Sequence, residues 1–161
     1  MDATGGAGYV GPVPDVLLAA DAPWVVDEVT AALSGPEDNV RVVTTGEAVR
    51  AAVADDPPDL VVLDLQIGNM GAMAACMDLR LEESGGRIDR VPVLLLLDRR
   101  PDVFLARRTE ADGWLIKPLS PIRLRKAVRA LLAGERFEDA TQMPPTVAVG
   151  PAPAAPASGH A

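Results

Sequence analysis

Two hydrophobic patterns alternate along the chain. Unbroken apolar runs at residues 16–20, 60–63 and 91–97 are separated by segments in which apolar positions recur at three- and four-residue spacing. Unbroken runs of this length read as strands buried on both faces, and the spaced pattern as helices with one face packed on a core. The order is strand 14–21, helix from Pro23 with Val25, Val26, Val29 and Leu33 on one face, then a stop at Gly35-Pro36. A second strand carries Val40, Val42 and Val43, and a short helix carries Val49, Ala52 and Val53 up to Pro57-Pro58. The central strand 60–64 leads through a Gly/Asn/Met loop into a helix over 71–83, broken by Ser84-Gly85-Gly86. A strand at 91–97, a helix over 101–111, a strand at 114–116 and a helix over 121–133 complete five strand–helix repeats.

Such alternation predicts an α/β fold, a doubly wound five-stranded parallel sheet with helices on both faces, because right-handed crossovers place them there. Its expected extent is 14–134. Residues 1–13 and the Pro/Ala-rich stretch 135–161 are expected to be disordered flanks.

Composition narrows the function. The chain has 161 residues, 48% of them hydrophobic, and a net charge of -8, which weighs against nucleic-acid binding. One cysteine, Cys76, excludes an internal disulfide framework and a cysteine-based zinc site. There is no signal-peptide pattern and no stretch near the ~18 apolar residues of a membrane span, so a cytoplasmic protein is expected. No Gly-rich phosphate loop follows the first strand, which weighs against a nucleotide-binding enzyme of this topology.

The candidate chemistry lies at strand ends, which in doubly wound sheets point into the ligand crevice. Asp21 ends the first strand, Asp64 the third, and Lys117 follows the fifth in Ile-Lys-Pro-Leu. Two carboxylates and an ammonium suit a divalent cation and a phosphoryl group, with an Asp as possible nucleophile. Lys117 and Lys126 are the only lysines in an Arg-rich chain, which argues against an incidental solvated lysine.

The segments VLLAAD, PDLVVLDLQIGNMGAM, VPVLLLL and ADGWLIKPLSPIRL, in this order and spacing, resemble a response-regulator receiver domain of two-component signalling. The resemblance spans residues 14–134 and implies a flavodoxin-like sheet order 2-1-3-4-5 with five helices. It implies Asp64 as phosphoacceptor for a histidine kinase or other phosphodonor. Asp21, Asp64 and the backbone carbonyl of Gln66 would be ligands of a weakly bound Mg²⁺, Lys117 the contact to the phosphoryl group, and Lys117-Pro118 a cis bond. No enzyme activity is implied beyond self-phosphorylation and self-dephosphorylation.

Three positions depart from that pattern. Ala20 replaces one of two adjacent acids. Leu97 replaces the Thr or Ser whose hydroxyl couples the phosphoryl group to the switch, and Asp98 stands where a small residue is usual. Trp114 takes the aromatic switch position, but without the hydroxyl the link is broken, so plain hydrophobic packing is the alternative to a switch role there. Asp98 is expected to oppose phosphorylation unless it turns away or binds Arg99 or Arg100.

The closing elements are basic. Arg107, Arg108, Arg123 and Lys126 mark either a partner or homodimer surface or a solvated helix face. Met70, Met73 and Met77 are expected to pack or line a surface groove rather than bind metal, and His160 to have no role. Three functions follow: a stand-alone receiver phosphorylated on Asp64, a divergent pseudo-receiver that binds protein without phosphorylation, or an unrelated small enzyme on the same scaffold.

Overall fold

The structure, a computed structural model, describes residues 14–33 and 39–139. The elements are β1 (Val16–Ala19), α1 (Pro23–Leu33), β2 (Val40–Val43), α2 (Glu47–Asp55), β3 (Leu60–Asp64), α3 (Ala72–Ser84), β4 (Val93–Leu97), a 3₁₀ turn (Arg100–Asp102), α4 (Val103–Arg108), β5 (Gly113–Ile116), α5 (Pro121–Leu132) and β6 (Phe137–Glu138). The sheet is parallel with order β2-β1-β3-β4-β5-β6. The first five strands follow the expected order, and a sixth is added.

Strand alternation sorts the core into two layers. Leu17, Ala19, Val61, Leu63, Val93, Leu95, Leu97, Trp114 and Ile116 face one side, against Val49 and Val53 of α2, Ala75, Cys76 and Leu79 of α3, and Ala106 of α4. Val16, Leu18, Leu60, Val62, Leu94, Leu96 and Leu115 face the other, against Val25 and Val29 of α1 and Leu124, Ala127, Val128 and Leu131 of α5. Burying each Val, Leu or Ile side chain contributes about 1.5–3 kcal/mol, which is why the strands read as apolar without interruption.

Two boundaries differ from expectation. The helix expected over 101–111 is shortened to a 3₁₀ turn at Pro101 followed by six residues of α4, and the chain leaves it through Glu110 at φ 59°. The folded unit also runs past residue 134. Phe137 and Glu138 pair with Gly113 and Trp114 as β6, and Asp139 is buried, so 135–139 are not a disordered flank. Gly113 makes the approach possible, because a Cβ there would meet the Phe137 carbonyl oxygen at 2.5 Å. The expectations for residues 1–13 and 140–161, His160 included, and the helix stop at Gly35-Pro36 lie outside the described residues.

Far from the strand ends described below, Arg80 of α3 is buried and ion-paired. Its guanidinium meets Glu83 at 2.7 Å and Asp112 at 2.5 Å, and donates to the carbonyls of Val91 and Glu110 at 2.9 and 3.0 Å. These bonds tie α3 to the starts of β4 and β5. Removing one member of a buried pair strands the other charge, at a cost of about 3–5 kcal/mol. Arg80→Ala is therefore expected to lower unfolding stability in urea by about that much; a change under 1 kcal/mol would show that the network is not tightly held.

Candidate functional site

Three neighbouring strands deliver three charged side chains to one point. Asp64 is the last residue of β3 and is fully buried. Lys117 follows β5, and its Nζ lies 2.5 Å from Asp64 Oδ1. Asp98 follows β4, and its Oδ1 lies 2.9 Å from the same Nζ. The side-chain amide of Gln66 donates a short hydrogen bond to the other oxygen of Asp98. The indole of Trp24, in the first turn of α1, lies 5.2 Å from the ammonium and adds a cation–π contact. The Lys117-Pro118 bond is cis.

The titration behaviour follows from this crowding. Burial works against the charge on Lys117, but the hydrogen bonds it donates to Asp64 and Asp98 outweigh it and hold its pKa above the ordinary lysine value. Burial likewise opposes the charge on Asp98, and the bonds from Lys117 and Gln66 reverse that, leaving its pKa below the ordinary aspartate value. Asp98 thus points into the site, while Arg99 pairs with Asp102 at 3.5 Å.

Asp21 is exposed and reaches the same loop from the next strand, where its Oδ2 accepts the Gly68 N–H at 3.1 Å. Gly46 holds the loop from the other side. Its N–H donates to the Gly68 carbonyl and that of Glu47 to the Asn69 carbonyl, both at 3.1 Å. A Cβ on Gly46 would sit 1.6 Å from the Met70 carbonyl oxygen, so no side chain fits there. Asn69 and Met70 have φ of 48° and 64°, a left-handed pair that is mildly strained, more so for Met. Asp64 Oδ2 is buried and accepts no hydrogen bond. Such an oxygen is rare without a cation or water to satisfy it.

Comparisons with known proteins place the chain in a family. The family model described as "Response regulator receiver domain" matches residues 16–129. The chain belongs to the response-regulator receiver family. Among its relatives is the DNA-binding response regulator MtrA of Mycolicibacterium smegmatis, 30% identical over 130 residues, which are 80% of this chain and 54% of that protein. Another is the transcriptional regulatory protein AfsQ1 of Streptomyces coelicolor, 28% identical over 77% of this chain and 54% of its own length. The chain therefore spans about half the length of these relatives. A putative response regulator from Chloroflexus aurantiacus shares the fold with a TM-score of 0.67 at 21% identity, covering 74% of this chain and 98% of its own. The receiver domain of a histidine kinase from Syntrophus aciditrophicus does so at 0.66 and 21%, covering 85% and 98%.

The two positions expected to form a switch are apolar and packed. Leu97 and Trp114 are both buried in the same core layer, and the Trp114 ring is covered by the Arg107 guanidinium at 5.7 Å. Of the expected interaction surface, Arg108 and Lys126 are exposed, whereas Arg123 is engaged internally by a short ion pair with Asp139. Cys76 is buried, its thiol donating to the Thr109 carbonyl at 3.4 Å, and burial pushes its pKa up, as befits a packing residue. Met73 packs against the core, while Met70 and Met77 are exposed.

Trp24 and the direction of Asp98 escaped the sequence reading. The only signal for Trp24 was an aromatic two residues beyond a helix-initiating loop. Asp98 was visible as a departure, but not where it would point.

Because the Asp98 pKa is lowered on folding, its contribution is complete above the ordinary value of 3.8 and is lost as pH falls through the lower folded value. The Lys117 contribution is complete below 10.5 and is lost only above its raised value. Asp98 is partly exposed, so screening limits its contribution to about 1 kcal/mol. The stability difference between wild type and Asp98→Ala in urea is expected to be flat from about pH 5 to 9 and to shrink in acid below about 3.8. A difference that stays unchanged in acid would show that the Lys117–Asp98 contact is absent.

Proposed function

We propose that this receiver accepts a phosphoryl group on Asp64 and does so reluctantly, because Asp98 competes for Lys117. The observation that carries the reading is the Lys117 ammonium held between Asp64 and Asp98. In the transfer, an Asp64 carboxylate oxygen forms the new O–P bond as the donor's bond breaks: P–N in a phosphohistidine, with the imidazole keeping the electron pair and taking a proton, or P–O in an acyl phosphate. Oδ2 is the oxygen without a hydrogen bond and is the one assigned the attack. Lys117 turns from the carboxylates to the phosphoryl oxygens as a point charge.

Receiver domains generally bind Mg²⁺ at the phosphorylation site. Among the described residues no group of three or more His, Cys, Asp or Glu side chains gathers for a metal. Mg²⁺ asks for less, one or two carboxylates completed by carbonyls and waters, and the unpartnered Asp64 Oδ2 suits that demand. Asp21, Asp64 and the backbone carbonyl of Gln66 are the residues assigned to it. The ion supplies positive charge against the phosphoryl oxygens. With Ala20 contributing no ligand, weak affinity follows. The phosphodonor is assigned as a histidine kinase, and the output as a change in protein contacts on the α4–β5 side. DNA binding belongs to MtrA as a whole, and the present chain matches about half of it.

A second reading, a receiver fold that binds protein without phosphorylation, is favoured by the complete burial of Asp64 and by Leu97 in place of a hydroxyl. A small-molecule enzyme has less support, since the groove beside α4 is lined by none of Asp21, Asp64, Asp98 or Lys117.

Incubation with acetyl phosphate and Mg²⁺, followed by intact mass measurement, separates the two. Wild type is expected to gain one phosphoryl group slowly and Asp64→Asn none. Asp98→Ala frees a charged hydrogen bond worth about 1.5–3 kcal/mol and should label about ten-fold faster or more. No adduct in either wild type or Asp98→Ala would favour the phosphorylation-independent module.

A further inference from the structure

The two tryptophans are placed very differently. Trp114 is 1% exposed and belongs to a core layer, whereas Trp24 is 52% exposed and is part of neither layer. Trp24 stands in the first turn of α1, and it is the next residue, Val25, that turns inward. Core packing does not account for a large ring held half in water. What the ring does meet is the Lys117 ammonium, 5.2 Å from its centroid. That ammonium already donates to Asp64 at 2.5 Å and to Asp98 at 2.9 Å. The Lys117 side chain is only 8% exposed, while that of Asp98 beside it keeps 24%.

A lysine carries a compact, strongly hydrated charge on a flexible stem, so water competes with the carboxylates for it unless something covers it. An aromatic face attracts a cation through its quadrupole and sets no requirement on the direction of any one N–H, whereas a hydrogen bond does. An indole against the ammonium therefore keeps it in place while its hydrogen bonds pass from carboxylate to phosphoryl oxygens. We propose that Trp24 is a positioning residue for Lys117: its indole covers the ammonium against water and holds it where Asp64 and Asp98 meet. The geometry of the cluster carries the placement, and the effect on transfer rests on the phosphorylation of Asp64 proposed above.

The chain has two lysines, Lys117 and Lys126, so a sample labelled with nitrogen-15 lysine gives two side-chain ammonium signals, which Lys126→Arg assigns. In the full chain, in cold and mildly acidic buffer, the Lys117 ammonium protons are expected to exchange with water more slowly than those of the exposed Lys126. Trp24→Leu is expected to speed the Lys117 exchange and to slow phosphoryl labelling of Asp64 by acetyl phosphate, each by about two- to five-fold, the range of a partly exposed cation–π contact. Trp24→Phe keeps a ring face and is expected to restore most of both. A ring that only braces α1 would lower unfolding stability on substitution and leave the Lys117 exchange unchanged, and that result would overturn the proposal. Faster exchange with an unaltered labelling rate would overturn it too. If the wild type takes up no phosphoryl group, the phosphorylation reading fails, and the exchange result alone decides whether Trp24 places Lys117.

Discussion

One ammonium group serves two carboxylates at the end of this sheet. Lys117 stands 2.5 Å from Asp64 and 2.9 Å from Asp98, and the cluster carries one negative charge in excess. Neither acid is well placed without it. Asp64 has no solvent to share its charge, and an unpaired buried carboxylate costs several kcal/mol. Asp98 is partly exposed and draws further support from the Gln66 amide. The second acid therefore meets the first through the lysine, whose ammonium donates to both.

The sheet makes that sharing possible. Parallel pairing sets Asp64 beside Leu96, and Leu97 beside Ile116, so Asp98 and Lys117 leave adjacent strands side by side. The two apolar layers fix those strands rigidly, and the loop after β3 is clamped by Asp21 from one side and Gly46 from the other. Leu97 and Trp114, buried together, belong to this frame. Leu97 leaves the end of β4 without a side-chain hydroxyl.

Much of the architecture was legible because buried parallel strands leave unbroken apolar runs and the helices between them leave a spaced pattern. Asp21, Asp64 and Lys117 were legible for a related reason: each is a charged residue directly after such a run. Three features were not. The direction of Asp98 is decided by a competition among Lys117, Gln66 and two arginines, and local sequence does not rank those partners. Arg80 looks like a solvated helix residue until Glu83 and Asp112 are brought to it from elements distant in sequence. β6 is two residues long and owes its place to Gly113 and Ile116 across the edge, so nothing in its own composition marks it as a strand.

The sharing of Lys117 is tested most directly by a carbon-13 NMR titration of the Asp98 side-chain carboxyl in the wild type and in Lys117→Met. The account requires a wild-type midpoint below the ordinary value of 3.8 and a clear upward move when the ammonium is removed. An ordinary midpoint in both proteins would contradict it.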